Sequence, residues 1–255
     1  RDLLQALKRS GYQFMTFDQY CLNKETLSEV RFVILRHDVD LKAKNSLSTA
    51  KIEQSLGIKA SYYFRVVEQS NKPGIIKAIV DLGHEIGYHY EDMTLCGGDA
   101  GNAVNHFKQQ LAYFRQFYPV KTVCMHGVPR SEYDGRDLWK HCDYHDYGVI
   151  GEPYFDVDFS KIFYLTDTGR RWDGFRVSLR DKIPVYQEEW IRKGWVYHTT
   201  DDILKAVGEG TLPKQIMMTT HPQRWTDSHG EWLKEVVTQS AKNIVKGALV
   251  KWNYL

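Results

Sequence analysis

The sequence predicts an α/β fold, a distorted (β/α) barrel of about seven parallel strands, as one domain over residues 1–255. Three observations predict it. Short branched or aromatic apolar runs alternate with stretches of helical periodicity, the links between them are short, and the polar residues closing the apolar runs are rich in Asp, Glu and His. Alternation with short links implies parallel β-α units. An open doubly wound sheet is the alternative architecture. No glycine-rich nucleotide or phosphate fingerprint follows any strand, which weighs against a nucleotide-binding fold.

The elements follow in order. Residues 1–30 read as an amphipathic helix (Leu3, Leu4, Leu7) and a Tyr/Phe-rich connection, an N-terminal extension packed on the barrel. Val33-Ile34-Leu35 then runs into Arg36-His37-Asp38-Val39-Asp40, and a short branched run of this kind reads as a buried parallel strand. Residues 41–56 carry Leu41, Leu47, Ala50 and Ile52 at helical positions, ended by Gly57. Residues 59–65 form a strand, 74–82 a helix stopped by Gly83, and 85–89 a short strand. Residues 100–118 form a helix with Phe107, Leu111 and Phe114 on one face; Pro119 ends it before a strand at 120–126. Strands are expected at 162–165, 194–198 and 215–220, and helices at 200–208 and 230–247.

Composition narrows the function classes. A hydrophobic share of 42% with 26% charged residues supports a sizeable core. A net charge of +2 argues against a nucleic-acid or anionic-membrane partner. No apolar run reaches membrane-spanning length. Cys21, Cys96, Cys124 and Cys142 are widely spaced, without a Cys-x-x-Cys pair or a disulfide framework. A reducing, cytoplasmic setting is the expectation. A serine or cysteine nucleophile finds no Gly-x-Ser-x-Gly elbow.

The chemistry collects at strand ends. Residues two apart on a strand share a face, so Asp38 and Asp40 point the same way. Two adjacent carboxylates repel unless a proton or cation lies between them. A divalent metal would resolve this, with one carboxylate ligating and the other left as a base; a pair of solvated acids in a turn is the plain alternative. Other runs end in His89-Tyr90-Glu91-Asp92, His126, Asp167 to Asp173, and His221-Pro222-Gln223-Arg224-Trp225. In a barrel these ends meet at one rim.

Arg36-His37-Asp38-Val39-Asp40, Gly83-His84-Glu85-Ile86-Gly87-Tyr88-His89 and strand-terminal His221 resemble the polysaccharide deacetylase superfamily over residues 30–225. That superfamily includes the family 4 carbohydrate esterases. Thr220-His221-Pro222-Gln223-Arg224-Trp225 is similar to a bacterial branch found among lipopolysaccharide and O-antigen biosynthesis proteins. The resemblance implies a distorted barrel and metal-dependent removal of an N-acetyl group from a sugar. It makes Asp38 the general base, Asp40 a ligand of a divalent metal, zinc-like, His89 the first histidine of a His-x-x-x-His metal pair, and His221 the catalytic acid. The second histidine of that pair falls at Met93, and a thioether is a poor ligand beside carboxylates. His126 is the preferred third ligand, with Glu91 second and Asp92 also near. Residues 167–173 correspond by order to a segment that orients the catalytic histidine. Glu91, Asp167, Arg170, Trp172 and Arg224 are candidate substrate-binding residues, and Tyr88, Tyr90, Trp172 and Trp225 could stack on sugar rings. Arg170, Arg171 and Arg224 suit bidentate contacts to phosphate or carboxylate, hinting at an anionic or nucleotide-linked amino sugar. Two competing readings are a metal-dependent amidase or deaminase on a modified uronic acid, and a catalytically silent glycan-binding protein.

Overall fold

The computed structural model describes residues 1–128, 131–173 and 183–252. Seven parallel strands form one sheet: β1 (Gln13–Met15), β2 (Phe32–Val39), β3 (Ser61–Phe64), β4 (Glu85–Tyr90), β5 (Val123–Met125), β6 (Phe163–Thr166) and β7 (Gln215–Thr220). The helices are α1 (Asp2–Arg9), α2 (Phe17–Asn23), α3 (Ala43–Ser55), α4 (Pro73–Asp81), α5 (Asp92–Leu95), α6 (Ala100–Phe114), α7 (Pro153–Asp156), α8 (Pro184–Arg192), α9 (Thr200–Gly208) and α10 (His229–Trp252).

The strand order is β5-β4-β3-β2-β7-β6. β2 is the axis of the sheet, and all eight of its residues are buried. One edge of β2 pairs with β7 from Phe32 to His37; the other pairs first with β1 (Phe32 to Ile34) and then with β3 (Arg36 to Val39). The crossovers through α3, α4 and α6 lay helices on the outer face, and a sheet buried on both faces explains the continuous apolar runs. Parallel bridges from Thr122 to Gly151 and from Thr166 to Asp173 extend the two edges. Asp38 of β2, His89 of β4 and Cys124 of β5 bring side-chain atoms within 4.8 Å of one another, although β2 and β5 are not neighbours in the sheet. The outer strands therefore curl around a shared interior, and the distorted barrel is the observed fold.

Two expectations are corrected. Residues 1–30 do more than pack on the barrel, because β1 adds a strand to the sheet. Residues 194–198 form no strand. Trp195 and Tyr197 instead pack edge-on against Phe163; their alternation records burial of rings without backbone pairing. α9 matches its expected bounds, opened by a capping box between Thr199 and Asp202.

The core is rich in tyrosine, and several of the buried hydroxyls have partners, as burial requires. Tyr62 donates to Glu53, Tyr63 pairs with Thr122, and Tyr88 donates to Asp92. Gly87 is needed where β4 passes the Tyr63 ring, since a Cβ there would overlap it. No helix among the described residues is long and apolar enough to cross a membrane.

Candidate metal centre and active site

Alternation along β2 divides its polar residues between two faces. His37 points outward, where its ring nitrogens meet Thr220 and Glu53 of α3 at 2.6 Å each. Arg36 and Asp38 point inward, and Asp40 follows at the strand's carboxyl end. β4, β5 and β7 deliver His89, His126 and His221 to the same rim.

Asp40 is the centre of the cluster. Its Oδ1 lies 3.5 Å from His89 Nε2 and 3.4 Å from His126 Nε2, and its Oδ2 lies 3.8 Å from His221 Nε2. His89 Nδ1 donates to the Cys124 carbonyl at 2.9 Å, and His126 Nδ1 donates to Glu91 at 3.0 Å. Each of these rings thus has its proton anchored on Nδ1 and turns Nε2 toward one carboxylate oxygen. That oxygen is buried and has no hydrogen-bond partner among the described residues.

The charges isolate Asp40 further. Asp38 is paired with Arg36, Glu91 with Arg65, and Asp167 with Arg224. Among the described residues Asp40 has no arginine partner; its Oδ2 accepts one amide hydrogen bond, from Gln223 at 3.1 Å. Burial opposes its charge, while His89 and then His126 and His221 hold its carboxyl well below the usual carboxylate range. A half-buried carboxylate with one buried, unpartnered oxygen calls for a cation. Asp40, His89 and His126 present ligand atoms that all lie within 4.8 Å of one another. One carboxylate and two imidazoles, each imidazole oriented by a hydrogen bond on its other nitrogen, is a donor set that fits zinc.

Asp38 lies beside this cluster, 3.7 Å from His89 Nε2. Arg36 grips both its oxygens, Nε to Oδ1 at 2.9 Å and Nη2 to Oδ2 at 2.7 Å, with both side chains almost wholly buried. Burial again works against ionisation, but Arg36 and then His89 outweigh it and keep Asp38 below its ordinary value. Arg36 is a site residue that the sequence reading did not single out, although it sits two positions before Asp38 on the same face. Gln223 was missed as well, and nothing local announces it.

His221 is held from behind. Its Nδ1 donates to Asp167 at 2.6 Å, and its backbone N–H reaches the other Asp167 oxygen at 3.0 Å. Arg224 and Trp225 Nε1 donate to the same carboxylate at 2.8 and 2.7 Å. Burial and Arg224 disfavour the imidazolium, but Asp167 prevails and raises the His221 pKa above its ordinary value. Asp167, despite burial, is held down at about 2 by Arg224 and His221.

This geometry revises several expected roles. Glu91 and Asp167, expected against substrate, are hydrogen-bonded to His126 and His221, and Asp167 also lines the cleft beside His221. Tyr88 and Tyr90, considered as stacking platforms, are fully buried against Phe107 of α6. Met93 lies buried on α5, and His126 from β5 stands beside His89 instead. Arg170, Trp172 and Arg224 do line an open cleft beside His221.

The chain matches no protein-family model and no curated protein by sequence. Several solved structures are similar to the chain in overall backbone. A CE4 family pseudoenzyme from Bacillus anthracis is 13% identical, with 84% of this chain and 62% of that one covered and a TM-score of 0.46. The Xyl-CE4 domain of a multidomain xylanase from the hindgut metagenome of Trinervitermes trinervoides is 14% identical over 88% of this chain and 85% of that one, TM-score 0.41. A family 4 carbohydrate esterase from Streptomyces lividans, in complex with acetate, is 17% identical over 84% and 88%, TM-score 0.42. The chain spans less than two thirds of the length of the first of these, at 62%. Likeness of this degree assigns no activity, and the chemistry has to come from the side chains themselves.

Proposed function

We propose that the chain is a metal-dependent hydrolase that removes an N-acetyl or similar acyl group from an amino sugar, in the assembly of bacterial surface polysaccharide such as O-antigen. The observation that carries this reading is the orphaned Asp40 Oδ1, faced by the Nε2 atoms of two imidazoles whose protons are anchored elsewhere. Asp40, His89 and His126 would hold the ion. Once bound, a divalent ion such as zinc supplies Lewis-acid polarisation of the acyl carbonyl.

The chain's own residues supply the proton transfers. Asp38, kept ionised by Arg36, takes a proton from the attacking water. His221, kept protonated by Asp167, gives one to the departing sugar amine, so the amine leaves neutral. The Thr220–Trp225 segment, similar to the O-antigen branch, is used almost residue by residue: Thr220 ties down His37, His221 faces Asp40, Gln223 donates to Asp40, and Arg224 and Trp225 clamp Asp167. A cytoplasmic setting belongs to the same proposal.

The test is elemental analysis of the purified protein together with acetate release from N-acetylated amino sugars, free and nucleotide-linked. The expectation is about one metal per chain and acetate production, both lost in His126→Ala. Ammonia in place of acetate would move the chemistry to a uronamide amidase. Metal-free protein that releases neither product after zinc is supplied would overturn the proposal.

A further inference from the structure

We infer that the cleft behind Asp167 is an anion subsite, and that the substrate carries a phosphate or carboxylate which binds there. This rests on the amino-sugar hydrolase reading and names the substrate class more narrowly. The cleft has a volume of about 460 Å³, within the range of small-molecule sites. Arg170, Arg171, Arg224, Trp172, Trp225 and Trp232 form much of its wall.

Among the described residues positive charge is in surplus: three arginines line the cleft against a single lining carboxylate, Asp167. Both oxygens of Asp167 are already taken by His221, Arg224 and Trp225. Arg171 is tied to Asp173, with His198 on the other side of that carboxylate. Arg170 is different: its guanidinium lies over the Trp232 ring, 5.5 Å from the centroid, with no carboxylate partner among the described residues. Its backbone is also held at φ 62°, directly after Gly169 at φ 73°. A left-handed conformation is unfavourable for arginine, and strain of this kind gathers at ligand sites.

The cleft shares a wall with the proposed acid, since Arg224 Nη1 is 3.4 Å from His221 Nδ1. His221 gives its proton from Nε2, which faces Asp40, whereas the cleft wall meets Nδ1, so the substituent that enters the cleft is one long enough to reach past Arg224. A planar guanidinium matches the two oxygens of a phosphate or carboxylate, and the exposed indoles of Trp225 and Trp232 offer apolar surface to a ring.

The experiment compares N-acetylglucosamine, its 1-phosphate, its uridine-diphosphate conjugate and an N-acetylated aminouronic acid in the wild type and in Arg170→Asn. Asparagine tolerates the left-handed backbone, so the fold is retained. For an anionic substrate, kcat/KM should exceed that for the neutral sugar by about tenfold or more, and the variant should lose most of that preference through KM. Phosphate and carboxylate arms identify which anion is preferred. Equal use of neutral and anionic substrates, or a loss in the variant uniform across all four, would overturn the subsite while leaving the hydrolase reading intact. If no acyl group is released at all, tryptophan fluorescence decides separately. Quenching by pyrophosphate or glucuronate that weakens about tenfold in the variant supports the subsite, and no quenching, or identical titrations, refutes it.

Discussion

Replacing Asp40 by asparagine separates what a metal contributes from what the protein alone contributes. In chelated protein two effects of the Asp40 carboxylate oppose one another: Oδ1 is buried with no donor among the described residues and Oδ2 has only Gln223, a cost of about 1–3 kcal/mol, while His89, His126 and His221 favour its charge. Asp40→Asn removes both effects and should melt within about 3 kcal/mol of wild type in a chelator. Zinc separates the two proteins. At a hundredfold excess over its dissociation constant, an ion that binds only the folded state stabilises it by about 2.7 kcal/mol. For a chain of this size each kcal/mol moves Tm by about 2–4 °C, so wild type should gain roughly 5–11 °C between chelator and zinc. The variant should gain almost nothing. Arg36→Met is the contrast: it strands the buried Asp38 carboxylate and should cost about 3–5 kcal/mol with or without zinc. Thermal melts followed by circular dichroism read all three proteins. A wild type indifferent to zinc, or an Asp40→Asn protein that gains as much as wild type, would refute the reasoning.

Asp167→Asn removes the acceptor that orients His221 and favours its charge; kcat for acyl release should fall by about 10²–10⁴ with a smaller change in KM, measured below the variant's melting point. Glu152 is buried and raised from 4.5 to about 7, chiefly by desolvation. The folded state therefore prefers the protonated acid, so its contribution is complete below pH 4.5 and is lost as pH rises through 7, by at most about 3 kcal/mol. Urea titrations at pH 5 and pH 8 should show a smaller difference in Glu152→Gln than in wild type; equal differences would reject the assignment. Gly87→Ala would drive a Cβ into the Tyr63 ring and to 3.1 Å from the Thr122 carbonyl. Tyr63 is fully buried and bonded to Thr122, so it cannot yield, and denaturant midpoints should report a loss of about 1–3 kcal/mol or more.

The strand-end chemistry was legible because two local periodicities suffice for it. β2 announces itself as an apolar run, and a spacing of two puts Asp38 and Asp40 on one face. β1 was not legible: three residues, Gln13 to Met15, carry too little pattern, and only the edge of β2 left open below β3 makes them a strand. The run at 194–198 misled in the opposite direction, since aromatic alternation marks buried rings whether or not the backbone pairs. Glu91 and His126 illustrate the same limit within the site. Both follow strands that end at the rim, and sequence alone could only rank them. The structure separates them because Arg65, from the end of β3, captures the Glu91 carboxylate and leaves it to hold His126 Nδ1.

By itself, then, the sequence determined the parallel β-α alternation and which strand ends carry acids and imidazoles, since both are written in spacings of a few residues. Tertiary structure alone decided the distant partners: Arg65 for Glu91, Arg224 for Asp167, no arginine among the described residues for Asp40, and Asp167 turned away from solvent to grip His221. Those pairings join residues up to 57 positions apart, as Asp167 and Arg224 are. Sheet order and curl bring such residues together, and no local periodicity encodes either.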